Sequence, residues 1–329
     1  MYKEITIIGA GPAGVASAIQ LKREGFEPLV LEQKKVGGLL SNANLIENYP
    51  GFPDGISGKR LGLLLSEQLS NLRIGVKKEK VKHLTWRRGF FEIRTEMSKI
   101  RENKFMSRQV IVATGTVPKK INLPGAEDSS GKKLFYEITE LPSTQGKKII
   151  IIGGGDVAFD YALNLVSPQM LSEKSIGGTD CKVDLVFRDP SPKCLQLLLA
   201  RAKKSKKINL FPETIPLKIR EKEGKVFLDC CKSSQNLSSK AEKKFSLSSD
   251  YILVAIGRVP SIDFLSEELR SLYLQRDAGK ALNRQKVSGI FFAGDVINGD
   301  YRQAGIAVGD GLACGMRIAS LLKKEKLNS

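Results

Sequence analysis

Short runs of β-branched residues alternate along the chain with longer stretches of helical period, the pattern of strands buried between covering helices. Ile5 to Ile8 predicts the first such strand. Gly9-Ala10-Gly11-Pro12-Ala13-Gly14 follows, then an apolar-periodic helix to about Glu24, stopped by Gly25. Pro28 to Leu31 predicts a second strand, ending in Glu32. Strand, G-x-G-x-x-G, helix, strand and acid, in that order, make a dinucleotide-binding fingerprint in its full context. Gly9 permits the tight turn, Gly11 lets backbone approach a pyrophosphate, and Gly14 lets helix and strand pack closely. The diphosphate then sits on the helix N-terminus, where free N–H groups and the dipole favour negative charge. Glu32 is placed to accept hydrogen bonds from the adenosine ribose hydroxyls.

The pattern recurs. Ile149 to Ile152 runs into Gly153-Gly154-Gly155-Asp156-Val157-Ala158, a G-x-G-x-x-A variant, and a helix through Asn164. The partner strand, Val183 to Phe187, is delayed by an insert around Ser167 to Lys182 and ends in Arg188 instead of a carboxylate. A cation there suits the 2′-phosphate of NADPH, and Lys193 can assist; Asp189 beside Arg188 keeps NADH open as the alternative. Two fingerprints, one ending in Glu and one in Arg, imply two different dinucleotides. FAD in the first and NAD(P)H in the second is the economical pairing.

Val110 to Gly115 and Tyr251 to Gly257 each read as an apolar strand entering a glycine turn, and they flank the second fingerprint. The expected fold class is therefore α/β, with two Rossmann-like domains: a discontinuous FAD domain and an inserted NAD(P)H domain. The expected spans are 1–117, 118–246 and 247–329. Gly289 to Val296 is a strand ending in an acid, which places Asp295 to bond a flavin ribitol hydroxyl. Gln303-Ala304 opens a last helix to about Leu322, whose start, aimed at the flavin pyrimidine edge, would stabilise the reduced ring.

Composition changes the picture little. The 329 residues suit about two domains, and 41% hydrophobic with 27% charged residues excludes disorder as the main state. Lys and Arg number 53 against 35 acids, a net +18 that could serve nucleic acid, anionic membrane or an acidic protein partner. The basic runs at Lys77 to Lys82, Lys203 to Lys207 and Lys323 to Lys326 are scattered and lack interleaved aromatics, the pattern of a solvated surface. A nucleic-acid role rests on charge alone and ranks last. His83 is the single histidine, so no metal site is expected. Five cysteines, at 181, 194, 230, 231 and 314, have no framework spacing and point to free thiols in a reducing compartment. Ile5 to Leu21 imitates a secretory signal, but Glu4 and the spaced glycines fit the nucleotide fingerprint better. A cytoplasmic chain without a membrane span is expected.

Over nearly all its length the sequence resembles the thioredoxin reductase-like flavoproteins. The carrying residues are Gly9 to Gly14, Glu32, Gly37-Gly38, Asn48-Tyr49-Pro50-Gly51, Ala113-Thr114-Gly115, Gly153 to Ala158, Gly257, Gly294-Asp295 and Arg302-Gln303-Ala304. The resemblance implies a homodimer that binds FAD through Gly9, Gly11, Pro12, Ala13, Gly14, Glu32, Gly38, Leu39, Asn48, Ala113, Thr114, Gly115, Gly294, Asp295, Gln303 and Ala304. It implies NADPH at Gly153, Gly155, Asp156, Val157, Ala158, Arg188, Lys193 and Gly257. Thioredoxin reductases carry Cys-x-x-Cys a fixed distance before the second glycine loop; the corresponding positions here are Tyr136-Glu137-Ile138-Thr139. With Tyr136 and Thr139 in the two cysteine positions, a dithiol relay cannot run there, because the thiolate is the attacking species.

The Cys-x-x-Cys-free subgroup of this family, the thioredoxin reductase-type ferredoxin–NADP reductases, is similar at Leu134-Phe135-Tyr136 and Gly153 to Asp156. It implies hydride transfer from NAD(P)H to FAD and electron delivery to a small acidic carrier such as ferredoxin or flavodoxin. The chain departs from it at the C-terminus, where the aromatic extension that covers the flavin is missing. Two alternatives stand beside this reading: a disulfide reductase using other cysteines, of which Cys230-Cys231 is the one close pair, and a non-enzymatic flavin and nucleotide sensor. Adjacent cysteines form a strained ring, and the flanks of Cys230-Cys231 (Leu228-Asp229 before, Lys232-Ser233-Ser234 after) read as a strand end and surface loop; Cys314 reads as buried filler, and Cys181 and Cys194 as neighbours of the adenosine.

Overall fold

The structure, a computed structural model, describes residues 1–98, 101–166, 180–232, 244–276 and 287–327. Up to residue 179, the insert expected at Ser167 to Lys182 lies outside the described residues. The chain forms two units: 1–41, 46–117 and 260–329 in one, and 42–45 with 118–259 in the other.

The first unit begins with β1 (Tyr2–Ile8), α1 (Pro12–Arg23), β2 (Leu29–Glu32), α2 (Gly58–Asn71), β3 (Val76–Lys78), β4 (Lys80–Arg87), β5 (Phe90–Ser98), β6 (Arg101–Val112) and β7 (Thr116–Pro118). Its sheet has the order β3-β2-β1-β6-β5-β4. β1 is parallel to both neighbours, so Ile8 lies between Leu31 and Val112. Both faces of β1 are covered, which is why Ile5 to Ile8 carries no polar alternation: Ile5 and Ile7 enter one core cluster and Ile8 another.

The second unit contributes α3 (Ala126–Ser129), β8 (Leu134–Phe135), β9 (Lys148–Ile152), α4 (Asp156–Val166), β10 (Lys182–Val186), α5 (Gln196–Lys204) and β11 (Ile208–Phe211). It continues with β12 (Thr214–Lys222), β13 (Lys225–Lys232), β14 (Lys244–Ser249), β15 (Tyr251–Val254) and β16 (Arg258–Pro260). The parallel sheet β11-β10-β9-β15-β8 is packed on one face by α4 and α5 and on the other by the antiparallel sheet β12-β13-β14. This corrects the second domain boundary. Tyr251 to Val254, expected beyond 247 in the FAD domain, pairs residue for residue with Ile149 to Ile152, so the second unit extends to 259.

The chain then returns to the first unit with α6 (Glu267–Arg276), β17 (Ile290–Phe292) and α7 (Ala304–Leu327). β17 adds in parallel to the last three residues of β6, whose earlier residues pair antiparallel with β5. α7 runs past Leu322 to Leu327, with Lys324 and Lys326 in its last turn, where cations suit the helix dipole. By length and composition α7 could cross a membrane, and among the described residues it is alone in this. Here it packs on α1 and buries Cys314, Ile318 and Leu322 in the core. Gly311 permits that approach, since a Cβ there would lie 2.1 Å from the Ala13 carbonyl oxygen. The Ser17 hydroxyl bonds both the Ala13 and the Gly311 carbonyls, at 2.9 Å each.

Candidate functional site

In the first unit Glu32, Gly38, Ala113 and Gly294, four of the expected FAD residues, come to the loop between β1 and α1. Gly9 has φ +102°, and a Cβ there would sit 2.3 Å from the Ala113 carbonyl oxygen, so only glycine lets the Ala113-Thr114-Gly115 turn lie against it. A Cβ on Gly14 would meet the Gly9 carbonyl oxygen at 1.9 Å. The segment carrying Gly38 and Leu39 comes to the same place: Gly37 donates to the Ala10 carbonyl at 2.8 Å, and Gly38 stands beside Gly11. Gly294 packs on Ala13 from the other side. Thr114 is pinned through its hydroxyl to the Ser261 carbonyl, 2.7 Å, and the Asn48 amide donates to Gln303 Oε1, 2.9 Å.

Glu32 does more than the fingerprint requires. One oxygen accepts from the Ala10 N–H at 2.8 Å and the other from the Lys34 N–H at 2.7 Å, so it braces the glycine loop while retaining lone pairs for hydroxyl donors. Asp310 carries no sequence signal, yet its Oδ2 accepts from the Gly294 N–H, 3.1 Å, and from Asn298, 2.7 Å. It thereby ties α7 to the turn that carries Asp295.

These residues fit a dinucleotide. A Cβ on Gly11 would meet nothing within 4 Å, which leaves open the approach a pyrophosphate needs. A cavity of about 470 Å³ is lined by Pro260, Tyr273 and the 296–302 segment. Arg302, one of the lining residues, has a buried Nε without a hydrogen-bond partner.

The second unit repeats the construction. A Cβ on Gly153 would lie 2.3 Å from the Ala255 carbonyl oxygen and 3.2 Å from the Ala158 methyl, whereas one on Gly155 would meet nothing within 4 Å. Val157 is exposed at the helix start and Ala158 is buried. Lys193 is brought to this loop by its backbone, which donates to the Gly154 carbonyl at 2.8 Å, and Asp156 accepts from the Leu195 N–H at 2.7 Å. The Lys193 ammonium stands 3.3 Å from Asp189, an exposed pair worth little. Arg188, exposed, follows the carboxyl end of β10. Gly257 has φ +113° and faces the aliphatic part of Lys119.

The positions matching the family's cysteines hold a polar cluster. Tyr136 is buried, accepts from the Ile121 N–H at 3.3 Å and lies under the Lys120 ammonium, 3.9 Å from its ring centre. Thr139 donates to Asn42 Oδ1 at 3.1 Å. Between them Glu137, 5% exposed, meets Arg258 Nη1 at 2.8 Å, the Asn42 amide at 2.7 Å and the Tyr161 hydroxyl at 2.9 Å. Burial, then the Glu137 charge, pushes the Tyr161 phenol well above the usual tyrosine range. Sequence reasoning weighed Glu137 only as a spacer; a carboxylate inside the otherwise apolar 134–138 run was the signal. Arg258, far along the chain, gave none.

All five cysteines are free thiols, and the structure moves two of the expectations for them. Cys230 and Cys231 belong to β13 and both are buried; Cys230 lies on the inward side of that strand with Val226 and Leu228. Cys181 lies before the amino end of β10, at the opposite end from Arg188, the expected nucleotide contact. Burial pushes Cys181 and Cys230 up to about 12 and Cys314 up to about 11. Cys194 is half-buried beside the Asp156 loop, and burial raises it as well.

Among known proteins, the chain is 28% identical to thioredoxin reductase 1 of Saccharomyces cerevisiae, over 94% of this chain and 95% of that protein. It is 27% identical to the thioredoxin reductase of Bacillus subtilis, over 94% and 91%. The crystal structure of Lactococcus lactis thioredoxin reductase superposes with a TM-score of 0.81 at 26% identity, covering 98% and 99%. The pyridine nucleotide-disulphide oxidoreductase family model matches residues 3–311, across both glycine loops and the polar cluster between them. The chain therefore belongs to the pyridine nucleotide-disulphide oxidoreductases, and with its thioredoxin reductase relatives it is an NAD(P)H-dependent flavoprotein oxidoreductase working with FAD and NADPH.

Proposed function

We propose that this flavoenzyme passes electrons from NADPH to a small acidic electron-carrier protein of the ferredoxin or flavodoxin kind, without a dithiol of its own. The observation that carries the reading is the sulfur-free cluster around Glu137. A thiol with its pKa near 11 or 12 is almost wholly protonated at neutral pH and attacks a disulfide slowly. Bound FAD supplies the exchange between two-electron and one-electron chemistry. The chain's own contribution is placement. Gly9 to Gly14 and the turns at Gly38, Ala113 and Gly294 hold the flavin nucleotide, with Glu32 fixing the loop. Gly153, Gly155 and the start of α4 hold the NADPH diphosphate, and Arg188 with Lys193 takes its 2′-phosphate. The net +18 steers an acidic carrier by long-range attraction that salt would screen. A cytoplasmic homodimer completes the reading.

The relatives favour a second reading, a disulfide reductase, because those named above are thioredoxin reductases. One experiment separates the two: NADPH-driven reduction of ferredoxin and flavodoxin measured beside reduction of thioredoxin, in the wild type and in a variant with all five cysteines changed to serine. Carrier reduction that survives the serine changes supports the proposal. Thioredoxin reduction alone, lost with the cysteines, overturns it.

A further inference from the structure

In the second unit β9 pairs with β15 and β15 with β8, all parallel, so their carboxyl ends stand side by side. Ligands of open α/β sheets bind at that edge, where strand order reverses. Each strand delivers one turn there: 153–156 after β9, 255–258 after β15 and 136–139 after β8. The second turn leans on the first. The Ala255 carbonyl fills the space a Gly153 side chain would need, and the Ala255 N–H donates to Ile152 at 2.8 Å.

The third turn holds the second. Glu137 Oε1 meets Arg258 Nη1 at 2.8 Å, with side-chain exposures of 7% and 13%. Glu137 Oε2 is committed to Asn42 and to the hydroxyl of Tyr161, a residue of α4, the helix that the Gly153 loop opens. One carboxylate thus reaches from the third turn to the end of the second and to the helix behind the first.

We propose that Glu137 is a positioning residue for the dinucleotide: through Arg258 it fixes the 255–258 turn against the Gly153 loop. The inference rests on the reading that this loop takes NADPH. Backbone N–H groups that cradle a phosphate work only when held to about half an ångström, and residues behind the binding groups set that tolerance. The effect therefore travels by geometry, from carboxylate to guanidinium to turn.

The test is the dissociation constant of NADP⁺, a probe that cannot reduce flavin, measured by calorimetry on FAD-loaded wild type, Glu137→Gln, Arg258→Met and the double variant. The Glu137→Gln change keeps the volume and one acceptor but can turn an amide donor toward Arg258. Each single change is expected to weaken NADP⁺ about tenfold and the double change no further, the signature of two residues acting through one contact. FAD content and the flavin spectrum stay as in the wild type. Unchanged NADP⁺ affinity in Glu137→Gln at a lowered melting temperature would reduce Glu137 to a fold-stabilising role and overturn the inference. Unchanged affinity in Arg258→Met, or effects that simply add, overturn it equally. A wild type that does not bind NADP⁺ removes the nucleotide reading and the inference together.

Discussion

Asp160 should make the second unit less stable at neutral pH than in mild acid. It lies on α4, half-buried, with the Asn44 N–H at 3.5 Å. Burial, helped by the nearby Asp156 charge and opposed by that bond, pushes its carboxyl up to about 6 from 3.8. At 1.36 kcal/mol per pH unit, that rise corresponds to about 3 kcal/mol. Solvent at a partly exposed group reduces this to about 1–3 kcal/mol. A raised carboxyl contributes stability below its unfolded pKa and loses that contribution as pH climbs through the folded value. Asp160→Asn, which cannot ionise, should therefore gain on the wild type between about pH 4 and 7. For a unit of this size the gain amounts to about 3–10 °C in melting temperature. Thermal scans of both proteins at pH 4.5, 6 and 8 cancel every other titrating group in the difference. A difference that is flat with pH, or larger in acid, would refute the reasoning.

Three further outcomes follow from the same geometry. Gly11→Ala meets no protein atom and should fold normally yet bind FAD about tenfold or more weakly; Gly14→Ala, 1.9 Å from a backbone oxygen, should fail to accumulate as folded holoprotein, and flavin content on purification distinguishes them. An aromatic disulfide reagent at pH 8 should titrate at most Cys194 in the native protein and all five thiols after unfolding. Arg188→Ala should weaken NADPH by about tenfold while leaving NADH nearly unchanged, as equilibrium titration would show.

Both glycine loops were legible because each is local: strand, turn and helix sit within about 30 consecutive residues, and the glycines mark backbone that no side chain could share. Their neighbours were legible only as elements. Tyr251 to Val254 was visible as a buried strand, but an apolar run lined on both faces carries no sign of which sheet it joins, so the boundary fell too early. The flanks of Cys230-Cys231 read as a strand end and a loop because Asp229 and Lys232 interrupt the run; the alternation through Val226, Leu228 and Cys230 was the overlooked sign that the strand runs through the pair. Glu137 and Arg258, or Gly294 and Asp310, meet only after folding, and pairwise contacts between distant positions leave no trace in one sequence.

The parallel seam between β6 and β17 places residues 110–112 beside 290–292, and residues 118–259 of the second unit fall between them in the chain. During synthesis the middle of the chain leaves the ribosome with all its partner strands already made. The flavin loop waits for β17 and for the helix that supplies Gly311 and Asp310. Assembly thus runs from the inside outward, and cofactor capture becomes a late event. A chain stalled before residue 304 should display a protease-resistant middle and a flavin loop still open to attack.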